Sequence, residues 1–376
     1  MKITHFDIFR YKLRLKQPLT VRGITHEDRE GLLIRLEGSN DPRKHTGWGE
    51  IAPLPVVSEE SLEDALHAVV RLKSAVTGLA IPDHLEELSG QFEHWLGESD
   101  LPPSVRCGFE FAVLSLIAKS LNKSVACLLS DSCRHSVFVN GLIIQSGNDL
   151  SEQVAQLPNS DYQAVKIKVS GMSPDQAINF IRQIHKTLPN TTSLRLDANQ
   201  CWSFDDACKF AQGIAPDSIE YIEEPLDDSS RLAELARFTG LPVALDESLL
   251  GTKPESLTAF DGLKAIVIHP MLSGGPELTM RFARRAHQLN IKPIIASSFE
   301  SVVGIAALIN LAAATNLDDT PVGLDTLSMF RSQPIKGQIE TPVISSASAT
   351  SFDPIAMSKI ADDVDINSLV FVKDHG

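Results

Sequence analysis

The pattern that most constrains this fold is a series of eight short apolar segments between residues 137 and 326. Most are separated by stretches with helical periodicity, such as SPDQAINFIRQIHKTL and GPELTMRFARRAHQLN. Short apolar runs separated by helices are typical of parallel strands that are covered on both faces. Eight such strands favour a β/α barrel, although the pattern alone leaves a doubly wound open sheet as an alternative. The segments are VFVNGLII, AVKIKV, SLRLDA, IEYIEEP, PVALDE, AIVIHP, KPIIASS and PVGLDT.

The rest of the chain divides around this series into two further parts. Residues 1–125 mix strand-like pieces, ITHFDIFRYKLRL and GLLIRLEG, with amphipathic helices such as SEESLEDALHAVVRLKSAV and PSVRCGFEFAVLSLIAKSL. We therefore expect an N-terminal α+β domain over 1–125 and a barrel over 126–326. The segment 327–376 breaks the alternation, and we expect it to return to the N-terminal domain.

Composition and charge exclude several classes of function. With 43% hydrophobic and 22% charged residues, the chain has the composition of a globular protein. A formal net charge of -14 argues against nucleic acid as the main partner, because a phosphate-binding surface needs clustered Lys and Arg. The sequence shows no membrane-span-length apolar run and no signal peptide, and the five cysteines form no CxxC pair. We expect a cytoplasmic protein with reduced thiols, a small-molecule substrate and no membrane partner; the number of subunits stays open.

The polar residues of the apolar segments lie at their C-terminal ends. The intervals between successive positions from Lys168 to His269 are 29, 26, 23 and 23 residues, each about one strand plus one helix. In a β/α barrel this spacing places the side chains in one ring at the mouth, where barrel enzymes carry their active sites. The ring contains Lys166, Lys168, Asp197, Asn199, Glu223, Glu224, Asp246, Glu247 and His269.

Three acids of this ring, Asp197, Glu223 and Asp246, come from three successive strands. A single acid at a strand end more often caps the next helix or pairs with an arginine. Three carboxylates that converge on one point repel one another unless a cation neutralises them, and oxygen-only ligands suit a hard ion. The pattern therefore predicts a site for Mg²⁺, with Mn²⁺ as the alternative ion.

Lys166 and Lys168 are two residues apart, so both side chains point to the same face of one strand. Their Ala, Val and Ile neighbours argue against an edge strand on which both lysines would be solvated. Like charges this close, beside a divalent cation, lower the lysine pKa, so that a lysine can act as a base near neutral pH. Such a base beside a metal suits removal of a proton from the carbon next to a carboxylate.

The motifs of the barrel segments resemble those of the enolase superfamily, in its muconate-lactonizing-enzyme subgroup. They are the KxK of AVKIKV, then LDANQCW, YIEEP, ALDES and the SGG after the sixth strand. GWGEIAPLP, SEESLEDA, VNGLI, IIASSFESVVGIAALINLAA and PVGLDTL are further similar to the o-succinylbenzoate synthase family of menaquinone biosynthesis. The resemblance runs from about residue 8 to about residue 330. It implies a modified TIM barrel, (β/α)7β, with an α+β N-terminal capping domain.

The resemblance also implies roles for individual residues. Lys168 would be the base, and then the acid, in a syn dehydration of 2-succinyl-6-hydroxy-2,4-cyclohexadiene-1-carboxylate through a metal-stabilised enediolate. Lys166 would hold a substrate carboxylate and help to lower the pKa of Lys168. Segments 22–29 and 53–57 would form loops that close over the mouth. By role, the other positions are the Mg²⁺ ligands Asp197, Glu223 and Asp246, the supporting residues Asn199 and Glu247, and the substrate-binding residues Arg29, Ser297, Ser298 and Gly323.

One position departs from the family pattern. The family carries a second lysine at the tip of the sixth strand; this chain has His269 there, and Lys264 lies on the opposite face. In a first interpretation, a protonated His269 beside Glu247 retains part of the lysine's role. In a second, the substrate has changed, and the chain is an N-acylamino acid racemase or dipeptide epimerase of the same superfamily. In a third, it is a catalytically weak relative retained for binding, although the intact acids and KxK count against this.

Overall fold

The computed structural model describes residues 1–40, 43–97, 101–143, 162–189, 191–335, 351–353, 356–357 and 359–372. Within these residues, an antiparallel sheet with helices precedes a parallel sheet whose strands alternate with helices. The predicted α/β fold with an N-terminal α+β part is confirmed. No described helix combines the length and the hydropathy that a membrane span requires.

The N-terminal part begins with three antiparallel strands, β1 (Lys2–Val21), β2 (Ile24–Asn40) and β3 (Arg43–Ile51). Four helices follow, namely α1 (Leu62–Val76), α2 (Gln91–Leu96), α3 (Pro103–Ser120) and α4 (Val125–Leu129). Helix α3 is buried along most of its length, because it packs on β2 and β3 and also contacts the barrel part. A helix that is apolar on nearly every face is expected in such a position.

Glycines permit β3 and α3 to approach each other closely. A Cβ added at Gly49 would lie 1.9 Å from the carbonyl oxygen of Gly108, and one at Gly47 would lie 2.1 Å from that of Ala112. Because these are backbone atoms of a helix, neither contact can be relieved by a side-chain rotation. The two glycines of the GWGE motif therefore fix how the sheet sits on α3.

The barrel part consists of a seven-stranded parallel sheet in sequence order, preceded by β4 (Val137–Phe138). Its strands are β5 (Gly141–Ile143), β6 (Ala164–Lys168), β7 (Ser193–Asp197), β8 (Tyr221–Glu223), β9 (Val243–Leu245), β10 (Leu263–Ile268) and β11 (Lys292–Ile295). Its described helices are α5 (Pro174–Thr187), α6 (Phe204–Gly213), α7 (Leu232–Thr239), α8 (Pro270–Ser273), α9 (Pro276–Gln288) and α10 (Val302–Thr315).

The predicted eighth strand, PVGLDT, joins the two edges of this curled sheet. Val322 forms a parallel bridge with Val139 just before β5, and Gly323 forms one with Ala296 just after β11. The Gly323 N–H also donates to the carbonyl oxygen of Ile295 at 2.8 Å. These single bridges close the sheet into a barrel, so the TIM-barrel prediction is confirmed.

Alternation along the strands sends one set of side chains into the barrel interior. Six buried apolar residues form an interior cluster that is separate from the main core; they are Tyr221, Ala244, Ala265, Val267, Ile294 and Ala296. Arg195 is fully buried on the same face of β7, where its guanidinium donates to Glu220 at 2.8 Å and to the carbonyl oxygen of Pro321 at 2.7 Å. The interior is therefore packed and the polar mouth rests on a closed floor.

Two buried carboxylates cap helices across the boundary between the two parts of the molecule. Glu50 of β3 accepts the backbone N–H groups of Ser301 and Gly304 at the start of α10, each at 2.8 Å. In the other direction, Glu277 of α9 accepts the N–H of Phe92 at 3.0 Å in the first turn of α2. Unpaired N–H groups at helix starts attract carboxylates, so each acid stabilises a helix of the opposite part.

The C-terminal segment contacts both parts. Strand β12 (Ser351–Phe352) pairs with β4, and β13 (Val370–Phe371) pairs with β1 at Phe9 and Arg10. The N-terminal sheet thus has the order β13-β1-β2-β3. The division of the chain at residues 125 and 326 stays a prediction, and residues 336–350 lie outside the described part.

Candidate active site

A cavity of about 750 Å³ opens at the C-terminal ends of the parallel strands. Its polar lining brings together most of the predicted ring and adds residues of the first and eighth strands; it includes Asn140, Lys166, Lys168, Asp197, Asn199, Asp246, Glu247, His269, Ser297, Gly323 and Asp325. Three predicted site residues, Glu223, Ser298 and Arg29, lie behind this lining. The mouth of the barrel is thus the candidate active site.

Strand register places the three predicted metal ligands side by side. Lys168 pairs with Asp197, and Asp197 pairs with Glu223. Glu223 pairs with Ala244, two residues before Asp246, so Asp246 extends from the same face of the sheet. All three acids are buried. One lysine and three carboxylates therefore form a row across four neighbouring strands.

Lys166 lies against this row and forms ion pairs with two of its acids. Its Nζ is 2.5 Å from Glu223 Oε2 and 3.1 Å from Asp197 Oδ2. Burial lowers the pKa of Lys166, but Asp197, Glu223 and Asp246 outweigh burial and hold that pKa well above its usual value. The lowered lysine pKa was predicted beside a divalent cation and stays a prediction; with the three acids alone around its ammonium, the pKa of Lys166 is raised.

The donor set fits a hard divalent cation in chemistry and in charge. Asp197, Glu223 and Asp246 offer only carboxylate oxygens, which suit Mg²⁺. Burial raises the pKa of Glu223 to about 8 even with the Lys166 ammonium in contact, so one lysine does not neutralise the three acids. As they stand, the described residues include no group of three or more His, Cys, Asp or Glu side chains arranged to hold a metal. One ion bound by all three acids would compete with the Lys166 ammonium for Glu223 Oε2.

Asn199 and Glu247 support the same interpretation. Asn199 Nδ2 donates to Glu247 Oε1 at 3.0 Å. Burial, and then Asp246, raise the pKa of Glu247 to about 7. Asn199 Oδ1 and Glu247 Oε2 are buried without a hydrogen-bond partner in the described part of the chain. Two such acceptors beside the acids point to a donor or a cation that the described residues do not supply.

Glu224, the second acid of YIEEP, fixes the backbone that carries Asp246. Its Oε1 accepts the backbone N–H groups of Asp246 and Ser248, each at 2.9 Å, and its Oε2 accepts the Ser248 hydroxyl at 2.8 Å. Glu224 itself has a φ of 38°, and Asn199 has a φ of 45°. Positive φ at two non-glycine residues beside the acids is backbone strain of the kind that concentrates at functional sites.

His269 lies at the mouth, as predicted, while Lys264 is exposed near the opposite end of β10. The His269 Nε2 is 3.4 Å from Asp246 Oδ2, and the His269 Nδ1 is 3.4 Å from the Ser298 hydroxyl. Burial lowers the pKa of His269, but the Asp246 carboxylate outweighs burial and the net pKa is raised. The predicted partner Glu247 is wrong, since Asp246 occupies that place and Glu247 is bonded to Asn199.

Ser297 and Gly323 line the cavity, as expected for substrate-binding residues. Ser297 and Ser298 also hold a buried acid, because Glu300 Oε2 accepts the Ser297 hydroxyl at 2.6 Å and the Ser298 N–H at 2.7 Å. A Cβ at Gly323 would lie 3.1 Å from the Cβ of Ala296, so a small residue is needed where the eighth strand bridges the end of β11. Their substrate contacts stay predictions.

The structure does not bring Arg29 into the cavity. Its side chain is only 4% exposed, and the guanidinium donates to the carbonyl oxygens of Pro53 at 2.8 Å, Phe299 at 3.2 Å and Ser298 at 3.3 Å, and also to that of Ala52. All of its nitrogen atoms are engaged by backbone. Arg29 fastens segment 52–53 to segment 298–299, and its predicted substrate contact stays a prediction.

The tip of the β1–β2 hairpin covers the cavity, as the sequence predicts for segment 22–29. Arg22, with a φ of 45°, donates to the carbonyl oxygen of Val56 at 3.2 Å and so links the two covering segments. Leu19 and Leu54 line both this cavity and a neighbouring one of about 520 Å³ on the N-terminal side. Arg22 is the cationic residue that the N-terminal part contributes to the described lining.

Among the cavity residues that the sequence did not predict are Asn140 and Asp325. Asn140 lies inside the first apolar segment, directly before β5, so the rule of polar strand ends does not cover it. Asp325 lies near the end of the eighth segment, where that rule does apply. The Tyr162 hydroxyl donates to Asp325 Oδ2 at 2.6 Å. Burial raises the pKa of Asp325, although the Tyr162 hydrogen bond lowers it.

Two family models match the chain. Residues 149–338 match the enolase C-terminal domain-like family, and residues 3–116 match the MenC N-terminal domain. The first match covers the barrel strands that carry the acids. The second covers β1, β2 and β3 with α1, α2 and most of α3.

Curated relatives match over nearly the whole chain. An o-succinylbenzoate synthase of Aliivibrio salmonicida is 31% identical over 346 residues, which is 89% of this chain and 92% of that protein. One of Citrobacter koseri is 31% identical over 338 residues, covering 88% of this chain and 93% of the relative.

Solved structures share the fold. The L-Ala-D/L-Glu epimerase of Bacillus subtilis superposes with a TM-score of 0.77 at 24% identity, covering 93% of this chain and 96% of the epimerase. The N-succinyl Arg/Lys racemase of Bacillus cereus gives a TM-score of 0.79 at 19% identity and covers 99% and 100%. At these identities the likeness concerns the fold alone.

Proposed function

The chain belongs to the o-succinylbenzoate synthases of the enolase superfamily, a lyase family, and from this we propose that it is a magnesium-dependent dehydratase of menaquinone biosynthesis. The proposed reaction is the syn dehydration of 2-succinyl-6-hydroxy-2,4-cyclohexadiene-1-carboxylate to o-succinylbenzoate. The observation that carries the proposal is the row of Lys168, Asp197 and Glu223 in register, with Asp246 beside it, at the floor of the cavity.

Lys168 is the proposed base. It lines the cavity, and its ammonium has no hydrogen bond or ion pair with the residues that the structure describes, whereas Lys166 is held by Glu223 and Asp197. The neutral amine of Lys168 takes the proton from the carbon that bears the carboxylate. The resulting ammonium returns a proton to the hydroxyl on the same face, which leaves as water.

Asp197, Glu223 and Asp246 are the proposed ligands of Mg²⁺. When bound, the ion supplies positive charge beside the substrate carboxylate and lowers the energy of the anion formed as the proton leaves. Lys166, whose ammonium lies against Glu223 and Asp197, is the proposed partner of the same carboxylate. The covering segments with Arg22 and Leu54 keep water from the reacting carbon.

One base on one face suffices for this reaction, because loss of water gives an aromatic ring and no proton is delivered to the opposite face. His269 therefore has no proton to transfer in the proposed mechanism. Its imidazole stands between Asp246 and Ser298 at 3.4 Å from each, a position from which it supports charge at the mouth. A racemase or an epimerase, in contrast, needs an acid–base group on each face.

The test is the loss of the cyclohexadiene absorbance with purified protein, Mg²⁺ and the proposed substrate. We expect turnover that EDTA abolishes and that Lys168→Ala lowers by at least about 100-fold, because loss of general base catalysis typically costs 10²–10⁴. If the substrate is left unchanged and Lys168→Ala behaves as the wild type does, the proposed dehydratase is refuted.

Incubation in D₂O separates the alternatives. N-acylamino acids and dipeptides that acquire deuterium at the alpha carbon, with inversion, would identify a racemase or epimerase in place of the dehydratase. Binding of the substrate without turnover or exchange would identify a weak relative retained for binding. We expect neither outcome.

A further inference from the structure

We propose that Cys127 and Cys133 form a reversible intramolecular disulfide, which makes this pair a modification site remote from the cavity. Their Sγ atoms lie 2.7 Å apart, and both residues are half-buried free cysteines. Two sulfur atoms this close need only a small movement to form a covalent bond. Neither residue lines the cavity, so the proposal does not depend on the proposed reaction.

Local hydrogen bonds turn the two thiols toward each other. Cys127 lies in the first turn of α4, where its N–H donates to the Ser124 hydroxyl at 3.1 Å. After α4 the chain turns back, and the Cys133 N–H donates to the carbonyl oxygen of Ser130 at 3.2 Å. The fold thus holds both cysteines on one short turn before any bond forms.

Helix α10 anchors this turn at both ends. On one side the Ala126 N–H donates to Asn310 Oδ1 at 3.1 Å, and on the other the Arg134 N–H donates to the carbonyl oxygen of Ala313 at 2.8 Å. Because both anchors lie in the second half of α10, the turn is fixed on the barrel near the N-terminal end of β4. Its two thiols therefore stay adjacent in the native state.

The reaction is a thiol–disulfide exchange with a low-molecular-weight disulfide of the glutathione class. One thiolate of the pair attacks the reagent, forms a mixed disulfide and releases one small thiol. The second thiolate then attacks the protein sulfur and releases the other small thiol, so two protein thiols are oxidised and one reagent disulfide is reduced to two thiols. Burial, and then the adjacent Cys127, raise the pKa of Cys133 to about 11, so the exchange accelerates as pH rises above neutral.

The disulfide would stabilise the native turn between Cys127 and Cys133. It closes a small loop that the native fold already holds, so it restricts mainly the unfolded chain. We expect the melting temperature to rise by about 2 °C on oxidation, a small shift because the chain is long. The remaining cysteines offer no such pair: Cys107 is buried, and Cys201 and Cys208 make no sulfur contact among the described residues.

The test is to incubate the full-length wild type with glutathione disulfide at pH 8 and to measure free thiols, intact mass and melting temperature. We expect the titratable thiols of the denatured protein to fall from five to three, given the five cysteines of the chain. Peptide mapping should show a Cys127–Cys133 link, and dithiothreitol should restore all five thiols. Cys133→Ser should prevent the link, and the matched half-buried control Cys208→Ser should retain it.

Three results would overturn the proposal. They are five remaining thiols after incubation, a disulfide that joins any other pair of cysteines, or a stable glutathione adduct on one cysteine of the pair. A lower melting temperature of the linked protein would contradict the predicted stabilisation, because it would show that the disulfide distorts the native turn.

Discussion

At the scale of single residues, His269 determines how much positive charge the mouth carries opposite Lys168. A lysine reaches further than an imidazole and presents a mobile ammonium, whereas this ring stands between Asp246 and Ser298, at 3.4 Å from each. Its contribution to catalysis is therefore expected through charge and contact, with no transfer of a substrate proton.

This gives a prediction for two substitutions. His269→Lys should keep or raise the rate of dehydration, since the ammonium restores charge beside Asp246. His269→Ala should lower kcat by about 100-fold, the cost typical of losing one group that stabilises developing charge. The measurement is kcat with saturating Mg²⁺, together with the circular dichroism spectrum as a check on folding. Equal kcat in wild type and both variants would make the position a bystander.

The residues show where sequence reasoning succeeds and where it fails. The acids at strand ends followed from spacing, because spacing and register both derive from the repeat of strand and helix. The partner of His269 did not, because Asp246 and Glu247 are adjacent in sequence and only the backbone turn after β9 decides which one faces the ring. The backbone contacts of Arg29 were not predictable for a related reason, because a charged residue in a covering loop looks the same in sequence whether it faces substrate or backbone carbonyls.

At the scale of elements, β3 and α3 of the N-terminal part approach each other at two glycines. A Cβ added at Gly49 or Gly47 would clash with a backbone oxygen atom of α3. The next residue of β3, Glu50, caps α10 of the barrel. The helices and strands themselves were predictable from periodicity. The close approach of β3 to α3 was not predictable, since a glycine in a strand is equally typical of a bulge or a turn.

Gly49→Ala should therefore be strongly destabilising. The added Cβ would lie 1.9 Å from the Gly108 carbonyl oxygen, and overpacking against backbone costs about 3 kcal/mol of unfolding free energy or more. The measurement is urea denaturation of the variant beside Gly38→Ala. Gly38 is the matched control because the atoms nearest to its added Cβ would belong to the side chains of Leu116 and Met1, which can move. Similar losses in the two variants would contradict the proposed contact.

A second prediction at this scale concerns Glu110 of α3, which links the helix to α9. Its Oε1 accepts from Arg106 Nε at 2.8 Å, and its Oε2 accepts the backbone N–H of Glu277 at 2.8 Å. Burial raises the pKa of Glu110 to about 7, although Arg106 lowers it. The folded state thus keeps a proton that the unfolded state loses near its ordinary pKa of about 4.5.

The sign of the pH dependence follows. Stability from this group is fully present below the unfolded pKa and is lost as pH rises toward the folded pKa. Between pH 4.5 and pH 7, the unfolding free energy of the wild type should fall relative to that of Glu110→Gln, by at most about 3 kcal/mol. Urea denaturation of both proteins across this range measures the difference. Parallel curves would show that Glu110 is ionised throughout.

At the scale of the whole molecule, the N-terminal part and the barrel stabilise each other through reciprocal contacts. Glu50 caps a barrel helix, Glu277 caps an N-terminal helix, and β13 at the C-terminus adds a strand to the N-terminal sheet. The hairpin tip with Arg22 then lies over the cavity because the sheet that carries it is fixed on both sides. The sequence predicted the α/β fold with an N-terminal α+β part. The reciprocal caps were not predictable, because an acid that caps a distant helix has no local sequence signal.

The candidate site should in turn stabilise the whole molecule when it binds its ion. Asp197, Glu223 and Asp246 lie on three neighbouring strands, and one divalent cation would relieve their repulsion and join those strands. At a Mg²⁺ concentration 100 times the Kd, linkage predicts about 2.7 kcal/mol of added stability. For a chain of this length that corresponds to a rise of about 3 °C in melting temperature. Thermal unfolding in Mg²⁺, compared with EDTA at matched ionic strength, measures this rise in melting temperature.

Asp197→Asn should lose the shift in melting temperature. Asp217→Asn, which changes an exposed acid outside the cavity, should keep it. A shift that persists in Asp197→Asn would place the ion elsewhere and would remove the basis for the proposed metal site.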